Sequence, residues 1–340
     1  MMNLLSFEDA LLNSSGHGKR HLLLGNGFSI ACRPNIFLYG KLFEQADFSN
    51  LSPSIKQVFK ELKTEDFEKV ISVLSDSEAA LRAYTTDVKL LENLRNDALA
   101  LRELLVQTLA VSHPGWPGEL AESEYQHCKS FLENFEKIYT LNYDLLLYWV
   151  CMHNEEGEQP IVDDGFRKPE DNYDASYVTW EPDNNRHQNM WFLHGALHLY
   201  DAGYEMRKFT WSNTNIRLID QVRGALKKNY FPIFVSEGKS TEKLEKIRHN
   251  DYLAKALRSF SSITGCLFIY GHSLAENDEH ILKKIESGTL RQIYVGIYGD
   301  PESVMNMKII KRAERMSLNR SRKNLEVFFF DAESANVWSS

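Results

Sequence analysis

Four short stretches of this chain carry residues able to hold and attack a charged small molecule. The first is Gly25-Asn26-Gly27-Phe28-Ser29, directly after the apolar run Leu22-Leu23-Leu24. Glycines leave backbone N–H groups open to close approach, and a helix starting there would add its dipole, so the turn could cradle a pyrophosphate. A tight strand-to-helix turn without a ligand has the same sequence. The complete dinucleotide fingerprint is absent, because Ile30 stands where a third glycine would be and no acid-ended strand follows about 20 residues on. Nothing matches the phosphate loop of nucleotide triphosphatases.

The second stretch is Asn142-Tyr143-Asp144, which ends the run Lys137 to Leu141. A carboxamide can hold a ribose hydroxyl or a water through one donor and one acceptor. Asp144 could stabilise developing positive charge, or simply cap the helix after it. The third is His194-Gly195, after the run Asn189 to Leu193. A histidine at a strand tip beside a glycine has open space at its ring, which suits a general base near neutral pH. His198, four residues on, reads as surface or packing, and without a third ligand the pair is discounted as a metal site. The fourth is Gly271-His272-Ser273-Leu274 with Asp278, another turn that could admit a ligand; Asp278 could equally cap the following helix.

These residues must be positioned by the elements around them. Apolar runs bounded by turn residues predict strands at 21–24, 137–141, 189–193, 231–235, 265–270, 292–298 and 325–330, with a short hairpin around Ser176 to Trp180. Three- and four-residue apolar spacing predicts helices over 54–63, 66–74, 78–84 and 87–111, with Ser75 and Glu78 as a capping box. Helical patterns also cover 145–152, 251–260 and 277–285. Strands apolar on both faces and alternating with helices mean a parallel sheet covered on two sides. The expectation is therefore one α/β domain over 1–340, Rossmann-like and doubly wound, with a mainly parallel sheet. A helical insert over 41–133 interrupts it between the first and second strands. Ligands of such sheets bind at the carboxyl ends of the strands, so all four tips should meet in one crevice.

Composition narrows the class. The 340 residues are 43% hydrophobic and 25% charged with a net charge of -8, which suits a soluble globular protein and gives no reason to expect general nucleic-acid binding. Four scattered cysteines form no C-x-x-C pair, so neither a zinc ribbon nor a disulfide framework is expected, and a reducing cytoplasm is the natural home. No stretch reaches the roughly 20 apolar residues of a membrane-spanning helix, and the acidic N-terminus does not read as a signal peptide. The run Ser236 to Arg248 contains glycine, serine and lysines that could form a phosphate-touching lid; a solvated loop with a mixed-charge helix is the plainer reading.

Taken together and in order, the four tips resemble the sirtuin-like NAD-binding proteins. Classical sirtuins have Gly-Ala-Gly-Ile-Ser where this chain has Gly25 to Ser29, and Asn-Ile-Asp where it has Asn142 to Asp144. Their catalytic His-Gly matches His194-Gly195, and their Gly-Thr-Ser-Leu loop matches Gly271 to Leu274. The likeness is closer to bacterial sirtuin-like proteins with Gly-Asn-Gly, Asn-Tyr-Asp and Leu-His-Gly, several of which degrade NAD in defence against bacteriophage. An abortive-infection family shares the Gly-Asn-Gly-Phe opening, and Phe231 to Leu253 resembles a bacterial family of unknown function. The paired zinc cysteines of sirtuin deacylases have no counterpart here, nor does the insert have one there, which argues against acyl-lysine deacylation.

The resemblance implies NAD as substrate or ligand, no metal, and an NAD glycohydrolase. Asn142, His194 and Asp144 would be catalytic. Gly25, Asn26, Gly27, Phe28, Ser29, Tyr143, Gly195, Gly271, His272, Ser273 and Asp278 would bind the nucleotide. A non-catalytic NAD or ADP-ribose sensor is the alternative, and an enzyme acting on nucleosides a third. Because free NAD cleavage endangers a host cell, a homo-oligomer or a separate regulatory protein is an expected partner.

Overall fold

The computed structural model describes residues 4–153, 162–170, 172, 174–183, 187–210, 216–228, 230–235, 240–320 and 324–339. The described residues form ten strands: β1 (Arg20–Leu24), β2 (Lys137–Thr140), β3 (Phe166–Arg167), β4 (Tyr177–Trp180), β5 (Met190–Phe192), β6 (Leu199–Asp201), β7 (Met206–Phe209), β8 (Thr264–Tyr270), β9 (Thr289–Ile297) and β10 (Glu326–Asp331). Six of them form a parallel sheet in the order β10-β9-β8-β1-β2-β5. Counted along the chain, that is the 3-2-1-4-5-6 order of doubly wound nucleotide-binding sheets. The central strand shows why: Leu22, Leu23 and Leu24 are all buried, so both faces of β1 must be covered.

Register decides where the site lies. Leu24 pairs with Thr140 on one side and with Tyr270 on the other, and Thr140 pairs with Phe192. Four parallel strands therefore finish level, and the residues after each finish emerge along one edge. Strand order reverses between β1 and β8, which opens a crevice at that edge.

The helical interval between β1 and β2 is present, with helices Tyr39–Gln45, Pro53–Glu61, Phe67–Leu81, Val88–Ser112 and Glu122–Leu132. The segments expected at 66–74 and 78–84 are one continuous helix. Asp66 caps it through the Lys69 N–H, while the Ser75 hydroxyl donates back to the Ile71 carbonyl within the helix instead of capping a second one. Phe43, Phe48, Phe59 and Phe67 pack ring against ring, an aromatic cluster continuous with the main core.

Two strand expectations need correction. The run 231–235 is extended but makes only one bridge, Gly195 to Phe234. Pro232 has no N–H for a ladder, and the Val235 N–H is spent on the His194 carbonyl. The hairpin expected near 176–180 is instead β4 of a separate antiparallel sheet in the order β3-β4-β7-β6. A buried ion pair, Lys208 with Asp164, underpins that sheet.

Several imidazoles are held neutral in this core. His113 accepts the Leu145 N–H at Nε2 (3.0 Å), which leaves Nδ1 to donate to the Pro114 carbonyl (3.0 Å). Burial pushes His113 and His21 each down to about 4, and His198 well below its usual range. Between pH 6.5 and 4 the unfolded chain takes up protons that these rings refuse. Glu68, whose carboxyl is raised to about 7, works in the opposite direction but is outnumbered. Denaturant midpoints measured from pH 7.5 to 4 should therefore fall as pH drops below about 6.5; a midpoint flat from 7 to 5 would contradict this.

Candidate functional site

A cavity of about 1140 Å³ occupies the crevice. All four predicted tips reach it: Gly25, Asn26 and Gly27 from the first, Asn142, Tyr143 and Asp144 from the second, His194 from the third, and Gly271, His272, Ser273 and Asp278 from the last. Three predicted residues lie behind its wall. Phe28 is core, packed on Trp338 at 4.9 Å, with its carbonyl accepting the indole N–H. Ser29 is fully buried beneath the floor. At Gly195, with φ +81°, an added Cβ would stand 2.1 Å from the Ile233 carbonyl oxygen, so the glycine serves chain packing.

The glycine turn does not work as the sequence suggests. The Gly25 N–H donates to the Tyr270 carbonyl (2.9 Å) and the Gly27 N–H to the Gly271 carbonyl (2.8 Å). The Phe28 and Ser29 N–H groups turn back on Gly25 and Asn26. What excludes side chains is therefore the facing turn: a Cβ on Gly27 would lie 2.5 Å from the Gly271 Cα, and one on Gly25 would lie 2.6 Å from the Gly271 oxygen. The turns interlock backbone to backbone and shape the floor, but these N–H groups are not offered to a phosphate. The Asn26 side chain donates to the Phe37 carbonyl (3.1 Å), tying the turn to the segment that follows.

Beneath the second tip runs a short polar chain. The Ser29 hydroxyl donates to Asp144 Oδ2 (2.5 Å), the Asn142 amide donates to Ser29 Oγ (2.9 Å), and Asp144 Oδ1 accepts the Leu146 N–H (2.9 Å). Asp144 thus secures the first turn of the helix Leu146–Met152 and orients Asn142. Burial pushes its carboxyl upward, against these hydrogen bonds.

Around the third and fourth tips the side chains form a titratable cluster. His194 Nε2 lies 2.9 Å from His280 Nε2, whose ring stacks on it at 5.1 Å. Burial drives His194 well below its ordinary range and His280 to about 4. Asp278 makes no cap for the helix Glu279–Ser287. Its oxygens meet His272 Nε2 (3.0 Å) and the buried Lys243 ammonium (3.1 Å) instead. Burial works to raise its carboxyl, and the His272 hydrogen bond with the Lys243 charge outweighs it. His194, Asp278 and His280 each place a ligand atom within 4.8 Å of the others. Lys243 already stands against Asp278 as its cation, at 3.1 Å. His198 is enclosed by Tyr148 and Phe192 rings, away from this cluster.

Besides His280, three contributors went unseen in the sequence. Lys243 lies on the helix Ser240–Arg248, expected as a mixed-charge solvated helix, yet it is 1% exposed. Residues Ser236 to Lys239 of the supposed lid lie outside the described residues. Glu68, from the insert, borders the cavity within 3.4 Å of Lys243 Nζ. The helix Val304–Leu318 lines the far wall with Lys308, Lys311, Arg312 and Arg315, spaced as one helical face. Arg312 is paired with Glu279 and Glu286, while Lys308, Lys311 and Arg315 are exposed at the wall. Among the described residues no helix is long and apolar enough to cross a membrane.

Residues 22–338 match the family model of a domain of unknown function, DUF4917. No curated protein matches the chain.

Proposed function

The chain belongs to the DUF4917 family of unknown function, and on that premise we propose that it binds NAD and hydrolyses it to nicotinamide and ADP-ribose. The observation that carries the reading is the meeting of all four tips in one cavity at the reversal point of a 3-2-1-4-5-6 sheet. The likeness of those tips to sirtuin-like proteins supports it, and makes a bacterial defence effector the natural setting.

NAD cleavage breaks the bond between nicotinamide and ribose through an oxocarbenium-like state. Nicotinamide leaves uncharged, so no general acid is required. The protein must hold the ribose, place a water and exclude bulk solvent. Asn142, fixed from below by Ser29, holds a ribose hydroxyl or the water. Tyr143 and His194 wall the reacting end. The phosphates lie towards Ser273 and the cationic face of Lys308, Lys311 and Arg315, since the glycine N–H groups are already engaged. The bond that ties His194 Nε2 to His280 favours a second reading, in which the cleft binds NAD or ADP-ribose as a sensor without cleaving it.

Purified protein incubated with NAD is expected to release nicotinamide, followed by chromatography. Thermal stabilisation by NAD with no release would favour the sensor, and release from nucleosides alone would replace NAD as substrate. Lys308→Glu with Lys311→Glu should weaken NAD binding by about tenfold at low ionic strength and by less at high salt, since exposed charges contribute roughly 0.2–1 kcal/mol each. Unchanged affinity in the double variant would move the phosphates elsewhere.

A further inference from the structure

We propose that Glu68, carried to the cleft by the helical insert, is the general base that takes the proton from the water attacking ribose C1′. This rests on the NAD-cleavage reading and replaces His194 in the role that its position suggests.

Glu68 sits in the first turn of the helix Phe67–Leu81, whose Asp66 cap aims that end of the helix at the sheet edge. Its Oε1 lies 3.4 Å from the Tyr143 hydroxyl; its Oε2 lies 3.4 Å from Lys243 Nζ and 3.3 Å from Asn277 Nδ2. Three elements outside the insert therefore hold one carboxylate against the wall that carries Asn142 and His194, and the same carboxylate borders the cavity.

The neighbouring groups are poorly suited to accept a proton. His194 has its Nε2 engaged by His280, and burial keeps its ring well below neutrality. Asp278 is held by His272 and Lys243. Asp144 has both oxygens engaged, Oδ2 by the Ser29 hydroxyl and Oδ1 by the Leu146 N–H. Glu68 is different. Burial lifts its carboxyl to about 7, with the charges of Asp278 and Asp66 adding and Lys243 opposing. A base is most effective when its pKa lies near the working pH.

The step balances as follows. The C1′–N bond breaks and its electron pair stays on the nicotinamide nitrogen, discharging the pyridinium. The water oxygen bonds to C1′, and the water's proton passes to the Glu68 carboxylate, which later loses it to solvent. Lys243 is a positioning residue, between Glu68 and Asp278. The insert thereby has a chemical task, since the sheet alone supplies a nucleotide floor without a base.

The test measures nicotinamide release from NAD against pH for the full chain and for Glu68→Gln and Glu68→Asp, with thermal stabilisation by NAD as the binding readout. Wild-type release should climb through about pH 7 to a plateau. E68Q should keep its stabilisation by NAD, lose roughly 10²- to 10⁴-fold in release, and lose the climb; E68D should recover part of both. Release by E68Q within threefold of wild type, or a loss that leaves the climb in place, overturns the role of Glu68 and leaves NAD cleavage standing. Should E68Q fail to fold, a wild-type profile flat across pH 7, or E68D with wild-type activity and profile, overturns it in the same way. A wild type that releases no nicotinamide removes the NAD-cleavage reading, and this assignment with it.

Discussion

Gly271→Ala is expected to leave little folded protein. Gly271 has φ +69°, a left-handed conformation that costs an L-residue roughly 1–2 kcal/mol. Collision adds to this. The new Cβ would stand 2.6 Å from the Phe28 nitrogen and 2.7 Å from the Gly27 carbonyl carbon and Cα. All three are backbone atoms, so no flexible side chain can move aside, and overpacking of this kind costs about 1–3 kcal/mol. Separating the turns would also break the Gly25–Tyr270 and Gly27–Gly271 hydrogen bonds, at about 1 kcal/mol each. The sum is about 4–7 kcal/mol, a large part of the 5–15 kcal/mol that ordinarily holds a domain together. Gly203→Ala is the control. Its φ is +87° but nothing lies within 4 Å of the added Cβ, so only the conformational cost remains. Soluble yield and thermal midpoint of the two variants separate the effects; a Gly271→Ala protein as stable as Gly203→Ala would show that the turns are not interlocked.

The same glycines show how far the chain could be read without coordinates. Leu22 to Leu24, Cys266 to Ile269 and Ile293 to Val295 announce buried parallel strands because both faces are apolar, and the tips after them follow from that. The partner of Gly25 and Gly27 is another glycine turn some 245 residues away, and no local pattern can name it. The small antiparallel sheet escaped for a related reason. Phe166-Arg167 and Leu199 to Asp201 are too short to show alternation, and Lys208 looks solvent-bound until Asp164 is placed beside it. Glu68 and Lys243 sit among alternating charges on helices, a pattern that ordinarily marks a wet face. Their burial exists only once the insert is docked on the sheet edge. His280 reads as a lone helical histidine for the same reason. Tips of strands were legible because sequence order sets them; residues delivered sideways by other elements were not.

Asn142→Ala is expected to cut nicotinamide release by about 10²-fold or more while the protein stays folded. The geometry fixes which way the amide faces. Ser29 donates its only hydroxyl proton to Asp144 Oδ2, so towards Asn142 it can only accept, and the amide must turn its NH₂ to Ser29. Oδ1 is then the acceptor left for a ribose hydroxyl or the attacking water, and the Asn142 N–H, held by Thr140 Oγ1 at 3.0 Å, keeps the backbone in place. Alanine removes the acceptor and leaves Ser29 with one partner fewer, a stability loss of about 1 kcal/mol. Misplacing a reacting group by about an ångström can cost 10²-fold in rate, so the catalytic effect should exceed the structural one. Ser29→Ala should cost less, about tenfold, because it loosens the amide without deleting it. Asn142→Asp should be worse for stability than alanine. Two carboxylates would then compete for the single Ser29 proton, and one must take up a proton of its own to stay buried. The measurements are nicotinamide release and thermal midpoints for the three variants, with and without NAD. If Asn142→Ala releases nicotinamide within threefold of wild type, the carboxamide is part of the floor's architecture, and neither water nor ribose depends on it.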